Sequence, residues 1–196
     1  MQYIKGIDAF REEKRTAVTL GKFDGRHRGH QKLLHTMEEL KETLGYATAI
    51  FTFSTAPLSL VTGEAATVIT TSEERRHNME KMGIDYLVEY PFTDDVRKMD
   101  PSVFVKDILV KRMRAKAMVV GPDCSFGYKG AGNVELLRSL SKELGFELHV
   151  IQKEKDHRRD ISSTYIREEL SLGNVAKANE LLGEPYAIHG IVVHGN

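Results

Sequence analysis

Short apolar segments rich in β-branched residues alternate along the chain with segments of helical periodicity, and this alternation restricts the fold more than any other feature. The apolar segments are residues 16–20, 46–53, 84–90, 117–120 and 146–151. They are too uniformly apolar to expose one face to water, which is typical of strands in a parallel sheet with helices on both sides. The sequence therefore predicts an α/β fold built on a doubly wound, Rossmann-like parallel sheet.

Capping residues predict where the intervening helices begin and end. Thr71 with Glu74 matches a capping box, and Asp100 followed by Pro101 is a common helix start. Further helices are expected to begin at Asn133, at Ser162 or Ser163, and at Asn174. Helices are expected to end at the glycines Gly45, Gly83, Gly173 and Gly183. The expected buried faces are Leu33, Leu34, Met37, Leu40 and Leu44 in the first helix and Val103, Phe104, Ile108 and Leu109 in the third.

Charge and cysteine content argue against several classes of protein. Lysine and arginine together number 28, as do aspartate and glutamate, so no overall field favours nucleic acid or an anionic membrane. The amino-terminal residues lack the pattern of a signal peptide, and no apolar run is long enough to span a bilayer. The single cysteine, Cys124, rules out an internal disulfide and fits a reducing compartment. We therefore expect a cytoplasmic protein that binds neither nucleic acid nor membranes.

A segment rich in glycine and histidine, LGKFDGRHRGHQ at residues 20–31, lies between the first buried strand and the first amphipathic helix. Its glycines let the backbone approach a ligand closely. A helix that starts near Gly29 presents free N–H groups and a partial positive charge to an anion. His27 and His30 flank this glycine closely, so one turn can direct both imidazoles toward the same ligand. The segment predicts a phosphate site.

Other interpretations of these histidines remain open. They could be solvated turn residues, or they could form part of a metal site. Only Asp24 accompanies them as a further donor, which argues against zinc. The segment also matches neither a Walker loop nor a dinucleotide-binding fingerprint.

A second candidate anion site is ISSTYIR, residues 161–167, where hydroxyl side chains open a helix. Ser162, Ser163 and Thr164 offer hydroxyl and N–H donors, and Arg167 adds a planar fork suited to phosphate oxygens. Simple helix capping with a solvated arginine is the alternative. Because ligands of doubly wound folds sit where parallel strands end, both segments are expected to meet at one edge of the sheet. Two helix N-termini there would suit a triphosphate and predict a nucleotide.

A glycine-rich loop after the fourth apolar segment is a third candidate. It spans residues 119–133, in which Asp123 could accept from ribose hydroxyls or help to hold magnesium. Phe126 could stack on a flat ring, or it could anchor the loop. The residues that follow the second apolar segment could line the same edge, namely Phe53, Ser54 and Thr55. Cys124 fits a small buried residue better than a nucleophile.

The motif GKFDGRHRGH, residues 21–30, resembles the Gly-x-Phe-Asp-Gly-x-His-x-Gly-His signature of bacterial FAD synthetases, members of the His-x-Gly-His nucleotidyltransferase superfamily. The resemblance continues through GPDCSFG and through ISSTYIREELSLGNVAKANELLG. The tail PYAIHGIVVHGN resembles the junction with a riboflavin kinase module. The resemblance as a whole implies a nucleotidyltransferase domain at 1–185. At 186–196 it implies a short stub that starts a truncated riboflavin kinase-like module.

The resemblance implies that the chain transfers AMP from ATP to FMN, giving FAD and pyrophosphate. His27, His30 and Arg167 would then act on the ATP phosphates, with magnesium carried by ATP and not by a protein cage. Nucleotide contacts are implied for Gly21, Phe23, Asp24, Gly29, Asp123, Ser162, Ser163 and Thr164, and flavin contacts are expected at Phe53, Ser54, Thr55 and Phe126. A riboflavin kinase module, fused or separate, would be the partner.

The chain departs from the family pattern on the acceptor side. Ala56, Pro57 and Leu58 stand where the family usually has Pro-His-Pro, and Cys124 stands where it tends to have phenylalanine. Two alternatives follow. The chain could be another His-x-Gly-His adenylyl- or cytidylyltransferase with a different phosphate acceptor, or a non-catalytic regulator that binds nucleotide or flavin.

Overall fold

A parallel sheet forms the centre of the protein in a computed structural model that describes residues 1–7, 10, 12–54 and 67–192. Its strands are β1 Gln2–Lys5, β2 Thr16–Leu20, β3 Ala47–Phe53, β4 Tyr86–Tyr90, β5 Ala115–Val120 and β6 Glu147–Val150. They lie in the order β1-β4-β3-β2-β5-β6, and every neighbouring pair is parallel. The predicted α/β sheet is confirmed, and β1 is an edge strand that the sequence pattern did not indicate.

Helices connect these strands and cover the sheet. They are α1 Arg28–Leu44, α2 Ser72–Lys81, α3 Asp94–Arg97, α4 Pro101–Val103, α5 Val134–Leu144, α6 Ser163–Ser171 and α7 Val175–Leu182. Helix α4 continues directly as a π-helix, Phe104–Arg112, and Tyr128–Gly130 forms a 3₁₀ turn. The capping box at α2 is confirmed, because Thr71 and Glu74 each accept a backbone N–H from the other.

Successive residues of the strands point to opposite faces of the sheet, and each face has its own helices. Ala17 packs with Met37 of α1 and Met79 of α2 on one face. Its neighbour Val18 packs on the other face with Leu109 of the π-helix and the residues of α5. A smaller cluster joins α6 and α7. The doubly wound architecture is therefore confirmed.

Two residues predicted on buried faces are exposed. Leu44, the last residue of α1, is 49% exposed, since the helix has passed the end of the sheet there. Val103 is 45% exposed whereas Val105 is fully buried. The π-helix explains this shift, because its wider turn changes which residues face the core.

The polar stretch 152–160, which carries no alternating apolar pattern, contains a short hairpin. Strands β7 Lys155–Asp156 and β8 Arg159–Asp160 pair antiparallel, and His157 takes a positive φ of 52° in the turn. Lys177 of α7 and Tyr165 of α6 both donate to Asp156, which fixes the hairpin against the helix pair. The sequence did not indicate this strand pairing because the segment is almost entirely charged.

The tail after α7 is the segment that resembles the start of a riboflavin kinase module. Described residues 185–192 form neither helix nor strand, and Ile188, Ile191 and Val192 are exposed. Residues 193–196 lie outside the described residues, so the assignment of 186–196 to another module stays a prediction. Among the described residues, no helix combines the length and the apolar character that a membrane crossing requires.

Candidate active site

The loop between β2 and α1 is tightly constrained by its backbone. Phe23 adopts a positive φ of 49°, and Gly25 adopts 68°. A Cβ atom at Gly25 would lie 2.7 Å from Cδ1 of Ile69. Only glycine satisfies both the left-handed backbone and this close approach, so the loop is shaped before any ligand binds.

The two histidines form a stacked pair at the start of α1. Their ring centroids are 3.7 Å apart with an angle of 20° between the planes. His27 is the N-cap, and its Nδ1 accepts the backbone N–H of His30 at 3.3 Å. The Nδ1 of His30 donates to the carbonyl of Gly25 at 3.0 Å. In the neutral rings, the proton of His27 is therefore on Nε2 and that of His30 is on Nδ1.

Both histidines are neutral near pH 7. Burial, with a smaller contribution from the neighbouring His30, lowers the pKa of His27 to about 3. Burial also lowers the pKa of His30 to about 4, against the opposing effects of the Gly25 carbonyl and Asp24. The pair thus supplies hydrogen-bonding groups without a resident positive charge.

The lowered pKa values predict how stability depends on pH. Below pH 6.5 the unfolded chain protonates both histidines, whereas the folded chain does so only near pH 3 to 4. Stability should therefore fall between pH 6.5 and 4, by up to about 1.4 kcal/mol per pH unit for each histidine. Urea unfolding across this range should show a smaller pH slope for a His27→Gln/His30→Gln variant. Equal slopes would contradict the assignment.

Asp24 lies behind the loop and ties together three distant segments. It is 3% exposed, and its Oδ1 accepts the N–H groups of Ile69 and Thr70 at 2.8 and 3.1 Å. Its Oδ2 accepts from Nη1 of Arg167 at 2.8 Å. Its backbone carbonyl accepts the hydroxyl of Ser163 at 2.6 Å. The two predicted anion segments therefore do meet at the carboxyl edge of the sheet.

In the second segment, residues 161–167, some side chains line the cleft beside the histidines and others bind Asp24. Ser162 caps α6 by accepting the N–H of Tyr165, and it also lines the cleft beside the histidines. Arg167 uses Nη1 on Asp24 and Nη2 on Thr164, the latter at 3.2 Å. Ser163, Thr164 and Arg167 are not lining residues of that cleft. Arg167 therefore braces the loop through Asp24, a contact that the sequence pattern did not indicate.

The histidine cleft, as we name it, is a cavity of about 260 Å³. It is lined by Leu20, Phe23, His27, Gly29, His30, Leu33, Gly121, Asp123, Cys124, Ile151, Gln152, Lys153, Ile161 and Ser162. Six of the predicted nucleotide or catalytic residues are among them, while Gly21 and Asp24 are not. Lys153, which sequence reasoning missed, pairs with Asp123 at 2.8 Å, and this contact raises its pKa.

An aromatic cavity of about 250 Å³ adjoins the histidine cleft and shares Leu20 and Cys124 with it. The aromatic cavity is lined by Leu20, Gly21, Lys22, Phe51, Thr52, Phe53, Phe104, Cys124, Ser125 and Phe126. A larger outer cavity of about 570 Å³ shares Phe53, Phe104 and Phe126 with it and extends to Phe92 and Tyr128. The histidine cleft and the aromatic cavity, both half-open, therefore adjoin at the edge of the sheet.

The predicted flavin residues are only partly brought together. Phe53 and Phe126 line the aromatic cavity, as expected for ring-stacking side chains. Ser54 lines neither cavity, and its N–H donates to the carbonyl of Tyr90 at 3.0 Å. Thr55 and the departure at 56–58 lie outside the described residues. Sequence reasoning missed Phe104, because its helical periodicity indicated only core packing.

The remaining candidates for covalent or metal chemistry are few. Burial raises the pKa of the Cys124 thiol to about 11, so it stays protonated and is a poor nucleophile. Within the described ranges, no group of three or more His, Cys, Asp or Glu side chains could hold a metal ion.

Known proteins match this chain over its whole length. The FAD synthetase family model matches residues 9–165. Bifunctional riboflavin kinase/FMN adenylyltransferase of Escherichia coli K12 is 34% identical, and its counterpart in Haemophilus influenzae is 32% identical. Both matches cover 100% of this chain and 64% of the relative. The Listeria monocytogenes enzyme of that name is 33% identical over 91% of this chain and 57% of its own.

Solved structures show the same fold. A macrolide-efflux protein from Streptococcus pneumoniae superposes with a TM-score of 0.86 at 28% identity, covering 100% of this chain and 64% of that one. A pantoate-beta-alanine ligase from Francisella tularensis has a TM-score of 0.59 at 12% identity, over 93% and 78% of the two chains, which is a likeness of fold alone. The family model spans most of this chain and the bifunctional relatives match 91–100% of it, so the chain belongs to the FAD synthetase family.

Proposed function

We propose that this chain transfers AMP from ATP to FMN, producing FAD and pyrophosphate. The observation that carries this proposal is that the histidine cleft and the aromatic cavity adjoin, with Leu20 and Cys124 lining both. The first suits a triphosphate at the start of α1, and the second suits a flat aromatic ring. The relatives that carry the name FMN adenylyltransferase support the same assignment.

The reaction requires little covalent chemistry from the protein. A phosphate oxygen of FMN attacks the α-phosphorus of ATP in line, and the bond from that phosphorus to the β-phosphate oxygen breaks as pyrophosphate leaves. The attacking phosphate is already ionised at neutral pH, so no general base is needed. Catalysis then rests on positioning and on stabilising the charge of the transition state.

The histidines supply complementary donors for that charge. His27 presents its protonated Nε2 to the phosphates, because its Nδ1 is occupied by the N–H of His30. A bound triphosphate raises the pKa of His30, so that its Nε2 takes a proton from solvent and donates a hydrogen bond to the phosphates beside that of His27. Gly29 lies at the first turn of α1, where the helix dipole favours an anion and a side chain would approach His27 at 3.2 Å.

Magnesium and the rim of the histidine cleft complete the site for ATP. Magnesium enters as part of the ATP complex and belongs to the substrate. Asp123 and Lys153 form the rim that faces the ribose or the departing pyrophosphate.

Residues 1–185 form the nucleotidyltransferase domain, and 186–196 begin a riboflavin kinase-like module. The relatives are bifunctional, so a riboflavin kinase, fused or separate, is the proposed partner, and the cytoplasm is the proposed compartment.

A chromatographic assay tests this function. The purified chain is incubated with ATP, magnesium and FMN, and FAD and pyrophosphate are followed, with riboflavin as the acceptor that lacks a phosphate. We expect FAD and pyrophosphate in equal amounts from FMN and no nucleotide product from riboflavin. Pyrophosphate with another phosphate acceptor, but not with FMN, would reassign the substrate. ATP binding without turnover on any acceptor would favour a nucleotide-binding regulator.

A further inference from the structure

Lys22 stands out among the residues that line the aromatic cavity. Within the described part of the chain, it is the one charged lining residue of that cavity, whose wall otherwise consists of phenylalanines and small or neutral side chains. It follows Leu20 and Gly21 at the carboxyl end of β2, at the unspecified position of the family motif. An ammonium group in an apolar cavity is costly unless it has an anionic partner.

The described part of the chain supplies no close partner for this ammonium. Among the described residues, Lys22 Nζ has no ion pair or side-chain hydrogen bond. The nearest acid in sequence, Asp24, has both carboxylate oxygens engaged, by Ile69 and Thr70 on one side and by Arg167 on the other. Burial lowers the pKa of Lys22, Arg75 and Arg167 lower it further, and only Asp24 opposes them. The surroundings therefore leave a cation in need of an anion.

The backbone holds Lys22 at the boundary of the two spaces. Its carbonyl accepts from Nη1 of Arg75 at 3.0 Å, which fixes the peptide. The next residue, Phe23, has a positive φ of 49° and lines the histidine cleft. Adjacent residues thus face different cavities, Lys22 the aromatic cavity and Phe23 the histidine cleft. An anion held by Lys22 lies beside the site of the ATP phosphates.

We propose that Lys22 binds the terminal phosphate of FMN and holds it at the junction of the aromatic cavity and the histidine cleft. This inference rests on the proposed function. A primary ammonium can donate three hydrogen bonds to a phosphate monoester, and its charge offsets the repulsion between that phosphate and the triphosphate of ATP. Lys22 is then the residue that distinguishes FMN from riboflavin.

The test compares Lys22→Met and Lys22→Arg with the wild type. The matched control is Lys116→Met, which removes a half-buried lysine that donates to the Gly145 carbonyl at the start of β5, toward the opposite edge of the sheet. Flavin fluorescence quenching gives the affinities for FMN and riboflavin, and steady-state assays give the KM values for FMN and ATP. Loss of a charged hydrogen bond predicts FMN binding about 10- to 100-fold weaker in Lys22→Met, with riboflavin binding unchanged within about twofold. Lys22→Arg should restore part of the loss.

The outcomes separate this proposal from the function on which it rests. Equal weakening of FMN and riboflavin would show that Lys22 shapes the cavity and does not bind phosphate. Unchanged FMN binding, or a raised KM for ATP with FMN unaffected, would also overturn the proposal while FAD synthesis by the wild type still supports the function. A wild type that makes no FAD would overturn the proposed function, and the binding comparison would still decide the role of Lys22.

Discussion

Replacing His30 by alanine is expected to lower kcat/KM for FAD formation by about 10²- to 10³-fold, the usual effect of removing a donor that stabilises transition-state charge. The ring of His30 stacks on His27 and donates to the Gly25 carbonyl, so its position is set before the substrate arrives. Its removal deletes a phosphate donor and also frees the ring of His27 to move.

The matched control for this prediction is His35→Ala. His35 lies on the same helix, α1, with 71% of its side chain exposed, and its ring nitrogens approach Glu38 and Glu39 of that helix. Its replacement should leave kcat/KM within about twofold, as for surface substitutions away from a site. FAD synthesis by both variants is followed chromatographically, with circular dichroism to verify folding. A folded His30→Ala protein with wild-type kcat/KM would remove the histidine pair from the mechanism.

The second large effect is expected from Asp24→Ala, which should lower the free energy of unfolding by about 3–5 kcal/mol, as when one partner of a buried ion pair is removed. The substitution leaves the N–H groups of Ile69 and Thr70 without their acceptor and Arg167 without its carboxylate. Because the loop that carries the histidines is anchored there, the KM for ATP should also rise.

An exposed ion pair provides the control for Asp24. Asp94 pairs with Arg97 at 3.0 Å, but its side chain is 79% exposed. Asp94→Ala should cost only about 0–1 kcal/mol, because water screens the charges of such pairs. Urea unfolding of both variants measures the difference. A cost for Asp24→Ala as small as that of Asp94→Ala would mean that the tie between the loop and α6 contributes little to stability.

Much of the fold was predictable because its signals are local. The buried strands are continuous apolar runs, and the capping box at Thr71 and Glu74 depends on residues three apart. Strand β1 was not predicted because a four-residue edge strand, with exposed Gln2 and Lys5, carries too short an apolar pattern. The hairpin at 155–160 was not predicted because its residues are mostly charged and because the contacts that hold it come from α6 and α7.

The candidate site was predictable only in part, for a physical reason. The motif located His27 and His30, and the topology of a parallel sheet located the edge where they lie. Which side chains pair with one another is decided by three-dimensional packing. Arg167 was expected to bind phosphate and instead pairs with Asp24, and only the packing of the phenylalanines around Lys22 places it in a cavity.

The brace between Asp24 and Arg167 joins residues 143 positions apart, and Gln31 likewise donates to the carbonyl of Leu182 in α7 at 2.8 Å. A ribosome releases β1 to β6 before either α6 or α7, so a nascent chain can assemble its sheet while the histidine loop still lacks these supports. ATP can stabilise only the states that bind it. While these supports are missing, the partly made chain gains little stability from the nucleotide and depends on its own sheet and hydrophobic core.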